Sequence, residues 1–139
     1  MVTSASDIVE RLADALDRDD YEAAMKVMAD GVRYSIGEQV LEGPEAVVQS
    51  YRTASETAHR LFDRVEYGHE VVSTDDSHTF RVSYSDKLTV AGETLTHMAE
   101  QQVTVDPEQG VIGIVNVYVP GEREKVDAFL HRHDLSRDG

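Results

Sequence analysis

The chain has 139 residues, a formal net charge of −14 at pH 7 and no cysteine. The charge argues against nucleic acid and anionic membranes as partners, because both need a basic face to meet phosphate. The missing cysteine excludes disulfides, thiolate nucleophiles and Cys-ligated zinc. The length suits one domain. The 40% apolar content is ordinary for a soluble globular fold. No run is long and apolar enough to span a bilayer, and MVTSASDIVERL lacks the pattern of a signal peptide, so a cytoplasmic protein is expected. Only Lys26, Lys87 and Lys125 are lysines. Diffuse acidity with so few lysines fits either salt adaptation of a halophilic kind or a merely soluble acidic protein.

The pattern predicts a first helix over residues 4–17, capped by Ser4, with Asp7 in its first turn and an apolar stripe of Ile8, Leu12 and Ala15/Leu16. After the polar break Arg18-Asp19-Asp20, a second helix carries Tyr21, Ala24, Met25 and Met28, and Gly31 suits its left-handed terminus. Val32–Gly37 alternates as a strand, with Val32, Tyr34 and Ile36 on one side. Gly43-Pro44-Glu45 opens a third helix with Pro44 in its first turn, and Val47, Tyr51, Ala54, Ala58 and Leu61 follow at helical spacing.

From Val65 the period becomes two, so Val65, Tyr67, His69 and Val71 share a face. Three further strands follow: TFRVSYSDKLTV, ETLTHMAEQQVTVD and VIGIVNVYV, separated by Ala91-Gly92 and by Asp106–Gly110. Such short connections predict an antiparallel meander. The last strand places Val111, Val115, Val117 and Val119 on one face and Ile112, Ile114 and Tyr118 on the other, which predicts burial on both sides. Glu122–His133 is a final helix, and Asp134–Gly139 is expected to fray. Helices followed by an antiparallel sheet give an α+β fold in which helices cover one sheet face.

Within this order, ERLADALDRDDYEAAMKVMADGVRY resembles the opening of the nuclear transport factor 2-like (NTF2-like) superfamily, including its SnoaL-like and ketosteroid-isomerase-like branches. LEGPEAVVQSYR, TFRVSY and DPEQGVIGIVNVYV resemble its later segments, so the likeness runs from Ile8 to Val119. It implies one domain with a cone-shaped curved sheet wrapped around a long helix, a pocket inside, and often a homodimer through the outer sheet face. The same alignment places the catalytic residues of ketosteroid isomerase on Leu12, Ile36 and near Gln101, none of which matches. The paired histidines of scytalone dehydratase do not recur, and one aligned position is Tyr84. The alignment also turns Tyr34, Phe80, Val82, Tyr84, Val103, Val105, Ile114, Asn116 and Tyr118 inward.

Strand parity adds Asp86, His97 and Gln101 to that interior. A two-residue turn at Ala91-Gly92 sets Asp86 opposite His97, and a four-residue loop Pro107–Gly110 sets Gln101 opposite Asn116. Asp86 facing His97 is an arrangement that orients an imidazole and raises its basicity. The functional reading makes His97 a general base oriented by Asp86, with Tyr34, Tyr84 or Asn116 polarising a carbonyl or holding an oxyanion, and Tyr51, Tyr84, Gln101, Asn116 and Tyr118 contacting the ligand. The bland reading is a polar cross-strand pair at the open end of the sheet.

His69 reads as a satisfied half-buried histidine, and His59 and His78 as solvated. His131 and His133 splay apart on a helix, so no metal site is expected. Asp19/Asp20 and Asp75/Asp76 read as solvated loop residues. No serine-nucleophile context or phosphate loop is present. Two functions remain. One is a pocket for a small hydrophobic molecule, with cofactor-free acid–base chemistry on an apolar oxygenated substrate (isomerisation, cyclisation, dehydration or hydrolysis). The other is a non-catalytic ligand-binding or dimeric interaction module.

Overall fold

A computed structural model describes residues 4–135. Helices α1 (Ala5–Asp17) and α2 (Tyr21–Lys26) lead into β1 (Met28–Ile36) and β2 (Gln39–Glu42), followed by α3 (Pro44–Leu61). Strands β3 (Arg64–Ser73), β4 (Thr79–Val90), β5 (Glu93–Asp106) and β6 (Gly110–Val117) come next, then α4 (Glu122–Arg132). The six strands form one sheet in the order β2-β1-β6-β5-β4-β3. Among the described residues only β1 and β6 run parallel, so the sheet is mixed. This is an α+β fold with its helices gathered on one face of the sheet. No described helix is long and apolar enough to cross a membrane.

The sequence signals explain most of these boundaries. Ser4 caps α1, its Oγ accepting from the Asp7 amide at 3.1 Å. Ile8, Val9, Leu12 and Leu16 of α1 and Val47 and Val48 of α3 bury their side chains against Tyr34, Phe80, Val82, Val103 and Ile114 of the sheet. Strand alternation points those sheet residues to one side, so the main core lies between helices and sheet. A second cluster, Phe62, Leu88, Val126, Phe129 and Leu130, fastens α4 near the β4–β5 hairpin.

The second helix ends earlier than its pattern predicts. The chain is already in β1 at Met28, which pairs with Val111, and Val27 accepts a backbone hydrogen bond from Val111 at 2.8 Å. Pairing with β6 overrides the helical propensity of a short segment. Gly31 is therefore not a helix terminus; it lies where the β1–β6 register shifts between Met28 and Arg33. The β6 strand starts tightly against this corner. At Gly110 (φ 102°) a Cβ would stand 2.4 Å from the Val27 carbonyl oxygen, so only glycine fits.

Two hairpins set the register of the interior. Ala91 (φ 50°) and Gly92 (φ 80°) both have positive φ, as a type I′ turn needs. Val90 then pairs with Glu93, and Asp86 is opposite His97, as predicted. The β5–β6 loop differs from the expected four residues: Asp106 pairs with Gly110, leaving three between them. A bulge restores the register, since Val105 pairs with Val111 but Thr104 with Gly113, leaving Ile112 over. Gln101 consequently still faces Asn116.

That bulge also overturns the expected two-sided burial of β6. It brings Val111 and Ile114 into the core together, while Ile112 is 37% and Val115 47% exposed on the outer side. The strand stops at Val117, so Tyr118 lies beyond it and is 73% exposed, not inward. The frayed end predicted from Asp134 lies, from residue 136 on, outside the described residues.

Candidate functional site

Between the α1–α2 corner, α3 and the inner face of the sheet lies a cavity of about 270 Å³. Five of the six tyrosines line it: Tyr21, Tyr34, Tyr51, Tyr67 and Tyr84. Each comes from a different element, α2, β1, α3, β3 and β4 respectively. Three carboxylates (Asp17, Asp19 and Asp86) join them, along with His97, Gln101 and Asn116. Of the residues expected from the sequence, Asp86, His97, Tyr34, Tyr51, Tyr84, Gln101 and Asn116 all meet at this cavity. Tyr118 does not.

The deep wall is a fixed polar bridge. Tyr34 and Tyr51 stack with ring centroids 5.4 Å apart and planes 7° from parallel. Gln101, 4% exposed, donates from Nε2 to the Tyr34 hydroxyl at 2.8 Å. Its Oε1 accepts from the Tyr51 hydroxyl, also at 2.8 Å. Burial raises the pKa of both phenols, so each keeps its proton at neutral pH. Tyr84 is held well above the ordinary tyrosine range, first by burial and then by the nearby Asp17 and Tyr34. Its hydroxyl is buried and has no hydrogen-bond partner among the described residues. A buried, unpaired phenol on a cavity wall is a donor ready for a ligand oxygen.

Asp86 is the second group of interest on this wall. Among the described residues its carboxylate forms no hydrogen bond and no ion pair. Burial pushes its pKa up to about 6, His97 pulls the other way, and Asp17 adds to the rise. The paired register does not produce the expected contact. His97 Nδ1 instead lies 3.4 Å from Glu122 Oε2, at the start of α4. The imidazole is oriented by Glu122, and Asp86 interacts with it only through space. Sequence reasoning missed Glu122 because α4 docks from far along the chain, with nothing local to mark the pairing.

Asp19 was also missed. It lies at the α1–α2 corner in the left-handed region (φ 55°). There Oδ1 accepts from the Tyr21 and Ser55 hydroxyls, each at 2.8 Å. Ser55 Oγ is in turn 2.9 Å from the Tyr67 hydroxyl, whose pKa burial pushes up to about 12. The solvated-loop reading is therefore corrected for Asp19. Asp20 is a helix cap, accepting from the Ala23 amide at 3.2 Å. His59, expected to be solvated, is largely exposed but reaches Asp19 Oδ2 at 3.3 Å.

His69 ties α1 to the sheet as a satisfied histidine, as expected. Its Nδ1 lies 2.6 Å from Asp17 and its Nε2 3.0 Å from Glu10, with Asp14 at 3.7 Å. Burial alone would lower its pKa, but the bonds to Asp17 and Glu10 outweigh it and raise it. Glu10, Asp14 and His69 could offer three ligand atoms to a metal. The carboxylates already account for the position of the ring without one. At the other end, His133 bonds Glu93 at 2.6 Å and packs on Phe129.

No family model and no curated protein matches the chain. Solved structures do. The epoxide hydrolase/cyclase-like enzyme SalBIII, described in pyran ring formation in the polyether salinomycin, superposes with a TM-score of 0.65 at 14% identity, over 85% of this chain and 92% of that one. RV0760c from Mycobacterium tuberculosis, in complex with estradiol-17beta-hemisuccinate, gives 0.62 at 16% identity, over 86% and 98%. A de novo designed protein with a curved β-sheet gives 0.60 at 22%, over 92% and 95%. NTF2-like proteins of unknown function match as well, one from Exiguobacterium at 0.61 and 13% identity, over 81% and 98%. At these identities the likeness speaks for architecture, and the chain has the NTF2-like fold.

Proposed function

We propose that this protein is a single-domain, SnoaL-like pocket protein that carries out cofactor-free acid–base chemistry on a small oxygenated molecule. One observation carries the reading: Asp86 is a half-buried carboxyl with no bonded partner among the described residues, its pKa pushed up to about 6 by burial, on a wall shared with the Tyr84 hydroxyl, which is likewise unpaired among those residues. Near neutral pH such a group takes up and returns a proton with little penalty. Ionised Asp86 removes a proton from a C–H or O–H bond of the ligand. The neutral phenol of Tyr84 donates to the oxygen on which negative charge develops. The carboxylic acid so formed then protonates the product, which suits isomerisation, cyclisation or opening of a strained ring. Tyr34, Tyr51 and Asn116 shape the space around the reacting atoms. Proteins of the same fold that act as an epoxide hydrolase/cyclase-like enzyme or bind a steroid hemisuccinate support a small-molecule ligand.

The test is turnover of a panel of ketones and epoxides by the parent and three variants. Asp86→Asn is expected to lower kcat/KM by about 100-fold or more, the usual scale for a general base. Tyr84→Phe should cost about tenfold or more through kcat. His97→Gln separates a base from a bystander, because on this reading it costs less than Asp86→Asn. Full activity in Asp86→Asn would end the reading.

A homodimer through the outer sheet face accompanies this reading. Val72, Met98 and Val115 are exposed large apolar side chains on three strands of that face. Light scattering is expected to give twice the 15.5 kDa chain mass, and Val115→Glu to return it to the monomer. A monomeric parent protein would exclude the dimer.

A further inference from the structure

The cavity differs in charge from a purely apolar one. Asp17, Asp19 and Asp86 line it, and no lysine or arginine does so among the described residues. His97 is the sole imidazole on the wall among those residues, and Glu122 lies beside it. Beyond the wall, His69 offsets Asp17, but Glu10 and Asp14 surround that histidine in turn. His59 touches Asp19 and is itself largely exposed. The groups facing the cavity from α1, the α1–α2 corner, β4 and β5 therefore make it an electronegative space.

The aromatic rings point the same way. Five tyrosines present π-systems whose faces are electron-rich. One ring already attracts a cation: the Arg52 guanidinium lies 5.0 Å from the Tyr21 centroid. Arg52 is exposed and is not part of the lining, so its charge stays outside the cavity wall. A carboxylate ligand would meet three carboxylates there. A fully apolar ligand would leave the buried Tyr84 hydroxyl without a partner after water is expelled.

We infer that the cavity selects a cationic ligand, an amine-bearing aromatic or alicyclic molecule whose ammonium sits at the α1–α2 corner, between Asp17 and Asp19 and against the Tyr21 and Tyr67 rings. This names the substrate class and rests on the small-molecule reading of the same cavity. Asp17 and Asp19 supply the attraction, and the rings add a cation–π contribution in a partly dehydrated place. The ring body of the ligand then extends along Tyr51 and Tyr84 towards Asp86, which stays free for proton transfer. A polar oxygen at that end meets the Tyr84 hydroxyl.

Three probes with one aromatic body separate the possibilities: phenethylamine, phenethyl alcohol and phenylacetate, titrated calorimetrically into the intact protein at about pH 8, where the amine is protonated. The amine is expected to bind about tenfold or more tightly than the alcohol, and phenylacetate more weakly than either. Asp19→Asn should remove most of that preference, lowering amine affinity about fivefold or more while leaving the alcohol unchanged. Asparagine tolerates the left-handed backbone at this corner and keeps an acceptor for Tyr21 and Ser55, so the variant should fold. The preference should also shrink as salt is raised. If the alcohol binds as tightly as the amine, or if Asp19→Asn weakens both equally, the cationic inference fails while the pocket reading stands. If none of the three binds, both fail.

Discussion

Replacing Asp86 with asparagine should make the protein more stable at neutral pH, by up to about 3 kcal/mol, in the same variant proposed to lose acid–base activity. The reason is linkage. An ordinary aspartate ionises near 3.8, whereas burial moves Asp86 to about 6. A tenfold change in acidity corresponds to about 1.4 kcal/mol between the two protonation states. The sign follows from the raised value: the carboxyl favours folding below its unfolded pKa and loses that contribution as pH rises through about 6. Above this window the folded protein holds an ionised carboxylate in a place that resists it. Asparagine has a similar shape and no charge, so it removes the cost. Melting curves of parent and variant should diverge as pH rises between about 4 and 7, reaching roughly 5–10 °C at the upper end. A constant difference across this range would show that Asp86 does not titrate as the geometry requires.

His69 provides the control. Its raised pKa makes its bonds to Asp17 and Glu10 most stabilising below its unfolded value, and they weaken as pH rises through its folded one. His69→Gln should therefore lose stability relative to the parent chiefly at the acid side of that window. Asp86→Asn gains stability at the alkaline side of its own. The sign alone does not separate the two from a general effect of net charge in so acidic a chain; the pH at which each difference appears does, because it follows that group's own titration. A catalytic group that destabilises its own fold is also consistent with function, since selection for stability alone would not keep an ionised carboxylate there.

The parts of this site that were legible in the sequence are those fixed by local geometry. A two-residue turn with positive φ at Ala91 and Gly92 determines a whole ladder of partners, so Asp86 and His97 could be placed on one wall from residue types alone. The β5–β6 partners were placed correctly for a different reason from the one expected. The loop is one residue shorter, and the extra residue at Ile112 compensates within the strand. A loop and a bulge are interchangeable in their effect on distant register, and alternation alone cannot separate them. It does mis-assign the face on the near side of the bulge, which is why Val111 shares the core with Ile114, whereas Tyr118 is outside because the strand stops at Val117.

What stayed illegible depends on contacts distant in sequence. Glu122 reaches His97 because α4 packs on the Phe62–Leu88 cluster, and no spacing rule encodes that. Asp19 faces inward through an unusual backbone conformation in a corner that otherwise looks like solvated loop. One sequence signal does point to the cavity. Tyr21, Tyr34, Tyr51, Tyr67 and Tyr84 recur at fairly even intervals, one to an element. Once the elements are known, that recurrence collects them around a common space.

The second large effect is expected at Gln101, where Leu should cost about 2–4 kcal/mol although the volume is nearly kept. Gln101 satisfies two buried hydroxyls at once, donating to Tyr34 and accepting from Tyr51. Leucine removes both bonds and strands both phenols on the inner wall, which is the costly form of losing a hydrogen bond. Tyr34→Phe and Tyr51→Phe should each cost only about 1 kcal/mol, because each leaves one unmatched group on a side chain that keeps its other partner. Combining Gln101→Leu with both phenylalanines should restore much of the lost stability, since neither stacked ring then carries an unpaired hydroxyl and the stacking survives. Denaturant unfolding of the full set measures this, and simple additivity would refute a shared network. The restored variant has a further use. With the wall rebuilt from apolar groups and Asp86 and Tyr84 untouched, turnover that persists would assign the bridge to the shape of the cavity. Turnover that disappears would assign the bridge to the reaction itself, and Tyr34→Phe alone then shows whether its hydroxyl takes part.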